Sequence, residues 1–145
     1  MDLSDLIARN ADFTPDKTAI RFEGRTISYA ALHRRIVATA RALKSELGIG
    51  RGDRVAILAA NHSDYLVLLY ACARLGAMLV TLNWRLAIPE QLFILSDAGA
   101  KVLVWGQVLN ETAFSYVQQN FQGQDKDWLR YTLGRPGVVR GGGWQ

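Results

Sequence analysis

The chain has 145 residues, half of them apolar, with 17 Lys and Arg against 13 Asp and Glu. That length suits one domain able to bury roughly 70% of the surface its unfolded chain exposes, and the composition is ordinary for a globular protein. The excess positive charge is scattered, with Arg34-Arg35 its densest pair and no aromatic residues interleaved with a basic run, so nucleic-acid binding is set aside.

Residues 3–11 read as a short helix with Leu3, Leu6 and Ile7 on one face. Two short strands, residues 18–22 and 25–28, flank Glu23-Gly24, where glycine supplies the positive φ of a tight turn. The clearest helix follows. Tyr29, Leu32, Ile36, Ala40, Leu43 and Leu47 recur at spacings of three and four, with Ser28 placed to cap the helix and Gly48 to end it. The run Arg54-Val55-Ala56-Ile57-Leu58-Ala59-Ala60 has the pattern of a parallel strand covered on both faces. Asn61 or Ser63 can cap a helix through Leu75, and residues 77–82 supply the next buried strand, which completes a right-handed βαβ unit. Pro89 suits the first turn of a helix through Asp97, Gly99 stops it, and residues 101–105 read as a third strand. The alternation predicts an α/β fold: βαβ units, a mostly parallel sheet and helices on both faces. After Trp105 the pattern dissolves into glutamines and glycines. A weakly ordered tail is expected there, with one helix over residues 111–120.

Residues 65–82 hold a single charge, Arg74, over eighteen positions. Arg near a bilayer centre costs about 2.5–3.5 kcal/mol, and Gly76 is a natural helix terminator, so a buried helix followed by a buried strand is preferred to a membrane span. The acidic start, Met1-Asp2-Leu3-Ser4-Asp5, lacks the positive charge of a signal peptide. One cysteine, Cys72, permits no internal disulfide and makes no zinc site alone. It is expected to be a small buried residue, and a cytoplasmic setting is expected for the chain.

Few residues suggest chemistry. The run Gly48-Ile49-Gly50-Arg51-Gly52 lies between a helix and a strand, the reverse of a phosphate-binding loop, and reads as a structural turn. His33 and His62 lack the spacing of a helix-borne metal site, and no serine is flanked by glycines as a nucleophile elbow requires. Asp53 and Asp97 read as turn and helix-end residues. Asn83-Trp84-Arg85 follows a strand, where open α/β sheets place ligands, but Arg85 is expected to tether a loop or cover apolar surface before it meets an anion.

Taken in order, several segments resemble the N-terminal part of the adenylate-forming superfamily, which includes acyl- and aryl-CoA synthetases, peptide-synthetase adenylation domains and luciferases. The matching residues are Pro15-Asp16-Lys17-Thr18-Ala19-Ile20, Ser28-Tyr29-Ala30-Ala31-Leu32, Gly50-Arg51-Gly52-Asp53-Arg54-Val55-Ala56-Ile57 and Asn61. Ala73-Arg74-Leu75-Gly76-Ala77, Asn83-Trp84-Arg85-Leu86, Pro89-Glu90, Leu92, Ile94-Leu95 and Asp97-Ala98-Gly99-Ala100-Lys101 follow. The resemblance covers residues 1–104, taken as the N-terminal part of an AMP-binding domain, with residues 105–145 a divergent tail. The form of residues 83–86 looks most like the fatty- or aryl-acyl-CoA ligase branch. The resemblance implies activation of a carboxylic acid by ATP to an acyl-adenylate and transfer to coenzyme A, with Mg2+ on the phosphates.

The departures limit what carries over. The family's phosphate loop is rich in Ser, Thr and Gly and ends in Pro-Lys-Gly. The nearest counterpart, Tyr131-Thr132-Leu133-Gly134-Arg135-Pro136-Gly137, lacks the central run and the lysine, and is read as coincidence or out-of-frame sequence, the alternative being a remnant of a deleted loop. The Tyr-Gly-x-Thr-Glu motif, the ribose-binding Asp, the hinge and the C-terminal domain with its Lys are absent from this sequence. Ile88 stands where the family often has a capping Thr or Ser, a loss worth about 1 kcal/mol. No catalytic, cofactor-binding or metal-binding residue is therefore carried over. The chain is expected to be a truncated, inactive member that binds neither ATP nor coenzyme A alone and self-associates through exposed apolar surface. The alternative is a non-catalytic interaction or regulatory module.

Overall fold

Hydrogen bonds at the helix ends fix where each element starts and stops. The protein is represented by a computed structural model that describes residues 1–105, 127–131 and 138–140. It divides into two units, residues 1–52 with 62–78 and residues 53–61 with 79–145. The expected helix over residues 111–120 and residues 132–137 of the segment compared with the phosphate loop fall outside the described residues.

In the first unit, α1 spans Ser4–Phe13. Its first turn is held reciprocally: Asp2 Oδ1 accepts from Ser4 N at 2.7 Å, and Asp5 Oδ2 accepts from Asp2 N at 2.7 Å. The hydrogen bond from Ser4 holds the Asp2 carboxyl below its ordinary range, against the opposing effect of burial. Strands β1 (Thr18–Phe22) and β2 (Arg25–Ser28) pair antiparallel, with Phe22 opposite Arg25. Both turn residues are left-handed, Glu23 at φ 50° and Gly24 at φ 73°. Positive φ was expected of the glycine alone; a two-residue hairpin of this hand requires it at both central positions, so Glu23 carries strain.

Helix α2 spans Tyr29–Leu47, capped by Ser28 Oγ accepting from Ala31 N at 3.2 Å and ended by Gly48 at φ 64°. The expected stripe is the buried one: Leu32, Ile36, Ala40, Leu43 and Leu47. Leu32 and Ile36 join Ile7 and Val67 in one core cluster, with Ile20, Ile27 and Tyr70 packed against it. Each such side chain contributes about 1.5–3 kcal/mol by leaving water. Helix α3 spans Asp64–Leu75. Neither Asn61 nor Ser63 caps it as expected. Ser63 already has helical backbone angles, and the bond to the first amide comes from His62, whose Nδ1 accepts from Asp64 N at 3.1 Å. The helix ends at Gly76, φ 70°, where Ala77 N donates to Cys72 O at 2.9 Å and Gly76 N to Ala73 O at 3.1 Å. The apolar run of residues 65–82 is thus a helix and then a strand, and no helix among the described residues is long and apolar enough to cross a membrane.

The second unit is built on a sheet of order β4-β3-β5-β6-β7, comprising β3 (Arg54–Leu58), β4 (Met78–Leu82), β5 (Val102–Trp105), β6 (Asp127–Tyr131) and β7 (Val138–Arg140). β3, β5 and β6 run parallel, and β7 returns antiparallel, pairing Leu129 with Arg140. The fold is α/β as expected, and β6 and β7 are strands absent from the sequence reading. Val55 to Leu58 are all buried, as a strand covered on both faces should be. β4 differs from expectation. It was expected to be buried, but it lies at the sheet edge with Met78 and Thr81 exposed and only Leu82 buried. Helix α4 (Ile88–Ala98) sets Leu95 among Ala56, Leu58, Leu82, Ala100 and Leu103. Its cap lies one residue before the Ile88 departure. Ala87 has no acceptor of its own, so the Glu90 carboxylate reaches back to Ala87 N at 2.9 Å and supplies half of a capping box.

Gly76 is the most demanding of these helix ends. A Cβ there would stand 3.2 Å from Arg51 Cγ in addition to forcing an L-residue into the left-handed region. Gly76→Ala should lower the unfolding free energy by about 1–2 kcal/mol, read as a lower urea midpoint with unchanged slope.

Candidate functional site

The turn after β4 couples a strand end to polar and aromatic side chains. Leu82 buries the end of the strand, and the chain then reverses. Asn83 Oδ1 accepts from Arg85 N at 3.0 Å and Asn83 O accepts from Leu86 N at 3.1 Å, an Asx-turn inside a β-turn. The turn presents the Trp84 ring, 41% exposed, with the Arg85 guanidinium 5.3 Å from its centroid. The Arg85 guanidinium carbon thus lies over the ring, so the side chain covers apolar surface with its charged head, where the stem was expected to do so.

Gln91 holds the turn from below, and sequence reasoning passed over it. Its side chain is fully buried in α4, with Nε2 donating to Leu86 O at 2.9 Å and to Trp84 O at 3.4 Å. Its Oε1 is buried and accepts no hydrogen bond among the described residues. An amide between Pro89-Glu90 and the apolar Leu92 was the available signal: a polar residue on the core side of a helix must be bonded to something.

The other candidates are dispersed. The glycine run at residues 48–52 is structural, as expected: Gly52 N donates to Gly76 O at 2.9 Å, so that amide is committed within the protein. Asp53 Oδ2 faces Lys101 Nζ at 3.4 Å, and Asp97 stands exposed on α4. His33 lines a shallow hollow of about 260 Å³ with Arg34, Val37, Ala38 and Arg41, while His62 serves as the cap of α3. No group of three or more His, Cys, Asp or Glu side chains among the described residues could hold a metal ion. Cys72 is buried, and burial pushes its thiol up to about 12 from 9.0, so it is an unreactive core residue.

The family model for AMP-binding enzymes matches residues 7–133. Indoleacetate–CoA ligase of Aromatoleum aromaticum is 47% identical over 103 residues, covering 71% of this chain and 20% of the ligase. Among solved structures, a protein of Rhodopseudomonas palustris bearing the name long-chain-fatty-acid CoA ligase superposes with a TM-score of 0.81 at 33% identity, over 92% of this chain and 33% of that one. The Bacillus subtilis o-succinylbenzoate coenzyme A synthetase, solved in complex with ATP and magnesium ion, superposes at 0.69 with 25% identity, over 85% and 35%. The chain spans about a fifth of the length of the curated relatives it matches.

Two measurements check these assignments. Gln91→Glu keeps the shape but turns an acceptor on the Trp84 and Leu86 carbonyls, so it should cost about 3 kcal/mol or more in urea unfolding. Gln91→Leu also removes the unbonded oxygen, and should cost less. For Cys72, the unfolded thiol ionises near 9.0 while the folded one keeps its proton to about 12. The unfolded state therefore binds fewer protons in that window, and stability falls as pH rises, by up to about 1.4 kcal/mol per pH unit. Subtracting the Cys72→Ala profile from the native one should isolate that slope; coincident profiles above 9.0 would contradict the burial.

Proposed function

The chain belongs to the AMP-binding enzyme family, and from that premise we propose that it supplies the N-terminal part of the AMP-binding domain of an acid–thiol ligase. The match over residues 7–133 carries this reading. The reaction proposed for the whole enzyme is ATP-dependent conversion of a fatty or aryl carboxylic acid, through its adenylate, to the coenzyme A thioester. The named activities of the relatives support that substrate class.

The described residues do not fit a nucleotide or its magnesium. The Gly52 amide is committed to Gly76, and no acidic cluster stands ready for a divalent cation among the described residues. What these residues offer is a buried sheet and a rigid turn that presents Trp84 and Arg85. We therefore propose, from the described residues, that the 145-residue chain by itself does not turn over.

A second reading, a non-catalytic interaction module that self-associates, rests on exposed apolar side chains: Leu6 and Phe13 on α1, at 53% and 81% exposure, and Phe93 on α4, at 70%. One preparation separates these readings. Purified protein given ATP, magnesium, coenzyme A and fatty or aryl acids should form neither AMP nor pyrophosphate and bind no ATP at micromolar concentration. A monomer in size-exclusion chromatography would count against the module. A chimera carrying residues 1–104 in the indoleacetate–CoA ligase should still form thioester, and a folded chimera that makes no adenylate would overturn the ligase assignment.

A further inference from the structure

The bond that caps α3 has a competitor. His62 Nδ1 accepts the Asp64 backbone N–H at 3.1 Å, and the same nitrogen stands 3.4 Å from Asp64 Oδ2. An imidazole nitrogen accepts only without a proton and donates only with one. The amide and the carboxylate of the same residue therefore make opposite demands on one atom. In the neutral ring the proton sits on Nε2, and Nδ1 satisfies the amide. That amide is one of the four that a helix start leaves without intrahelical partners.

The surroundings make the competition consequential. The Asp64 carboxyl group is on a residue only 8% exposed, and it sits in the first turn of α3, where the helix dipole favours a negative group. From α2, Arg35 Nη1 approaches Asp64 Oδ1 at 3.9 Å, too far for a charge-assisted hydrogen bond. From β1, Phe22 meets the His62 ring edge-on, its centroid 5.0 Å away, and contributes no charge. Among the described residues, Asp64 on α3 faces His62, with Arg35 on α2 behind it, and the Phe22 ring packs against the imidazole.

We propose that His62 is a pH-sensitive cap: protonation at Nδ1 releases the Asp64 amide and redirects the imidazole to the Asp64 carboxylate. The proton comes from solvent and no other bond is broken. At high pH the first amide of α3 is capped by a side chain. At low pH the same residue forms an ion pair with the carboxylate and the amide turns to water. The helix start exchanges a directional hydrogen bond for a charge contact, so its first turn loosens as the ring becomes charged.

Nuclear magnetic resonance of the 145-residue protein across the range in which imidazoles titrate tests this. The neutral His62 ring should carry its proton on Nε2, and the Asp64 amide resonance should move with the midpoint of the ring. The protection factor of that amide, with the intrinsic pH dependence of exchange divided out, should fall by about five- to tenfold on protonation, as loss of an ordinary cap would give. In His62→Asn, the side-chain oxygen can accept the same i+2 amide, as Asn83 does for Arg85 at 3.0 Å, but it cannot titrate. The pH response of the Asp64 amide should vanish there, with protection kept at the neutral-ring level. A neutral ring protonated on Nδ1, an Asp64 amide that ignores the ring, or a response that survives in His62→Asn would each overturn the proposal. If His62→Asn fails to fold, the tautomer and the shared midpoint in the native protein decide it.

Discussion

A strand without a polar side chain can exist only where both of its faces are dry. Residues 55–58 meet that condition, and the second unit depends on it. Ala56 and Leu58 point into a cluster with Leu82, Leu95 and Leu103, while Val55 and Ile57 are equally buried. The backbone of β3 can be buried this deeply because β4 and β5 flank it in the sheet and take up its amides and carbonyls. The parallel partner, β5, sets its register directly, Val55 opposite Val102 and Ile57 opposite Val104. Remove the neighbours and the most apolar segment of the unit becomes an unsatisfied edge.

The connections obey a second constraint, that each long helix must be stopped before its strand begins. Gly48, Gly76 and Gly99 follow α2, α3 and α4 and adopt left-handed φ of 64°, 70° and 62°. Each carries the chain out of helical geometry within one residue, and the last helical carbonyls accept from the amides beyond. The same economy governs the glycine-rich run at residues 48–52. Gly48 ends α2 and Gly52 docks on Gly76, and an amide already bonded to a carbonyl cannot be turned to another acceptor without a loss.

The polar residues that position the turn after β4 act by satisfying carbonyls. Gln91 reaches from α4 to two of them, Asn83 closes the turn on itself, and Trp84 with Arg85 is left facing solvent on a rigid mount. The fold is shared across the AMP-binding family, whereas the identity of an acid substrate must be read from residues that contact it.

The sequence by itself determined the elements whose signal is local. Period-3.6 burial and caps placed α2, a continuous apolar run placed β3, and glycine after each apolar helix placed the helix ends. Ordered short motifs determined the family, because the turns and strand ends they encode are fixed by backbone chemistry. Tertiary structure alone decided the rest. β6 and β7 are five and three residues long, too short to show a period, and are strands because β5 offers an edge to β6 and β6 offers one to β7. β4 looked buried from its apolar letters, yet position in the sheet left it at the rim with Met78 in water. The partners of Gln91 and His62 were decided in the same way, since a side chain's hydrogen-bond partner depends on which carbonyl or amide the fold brings within about 3 Å of it.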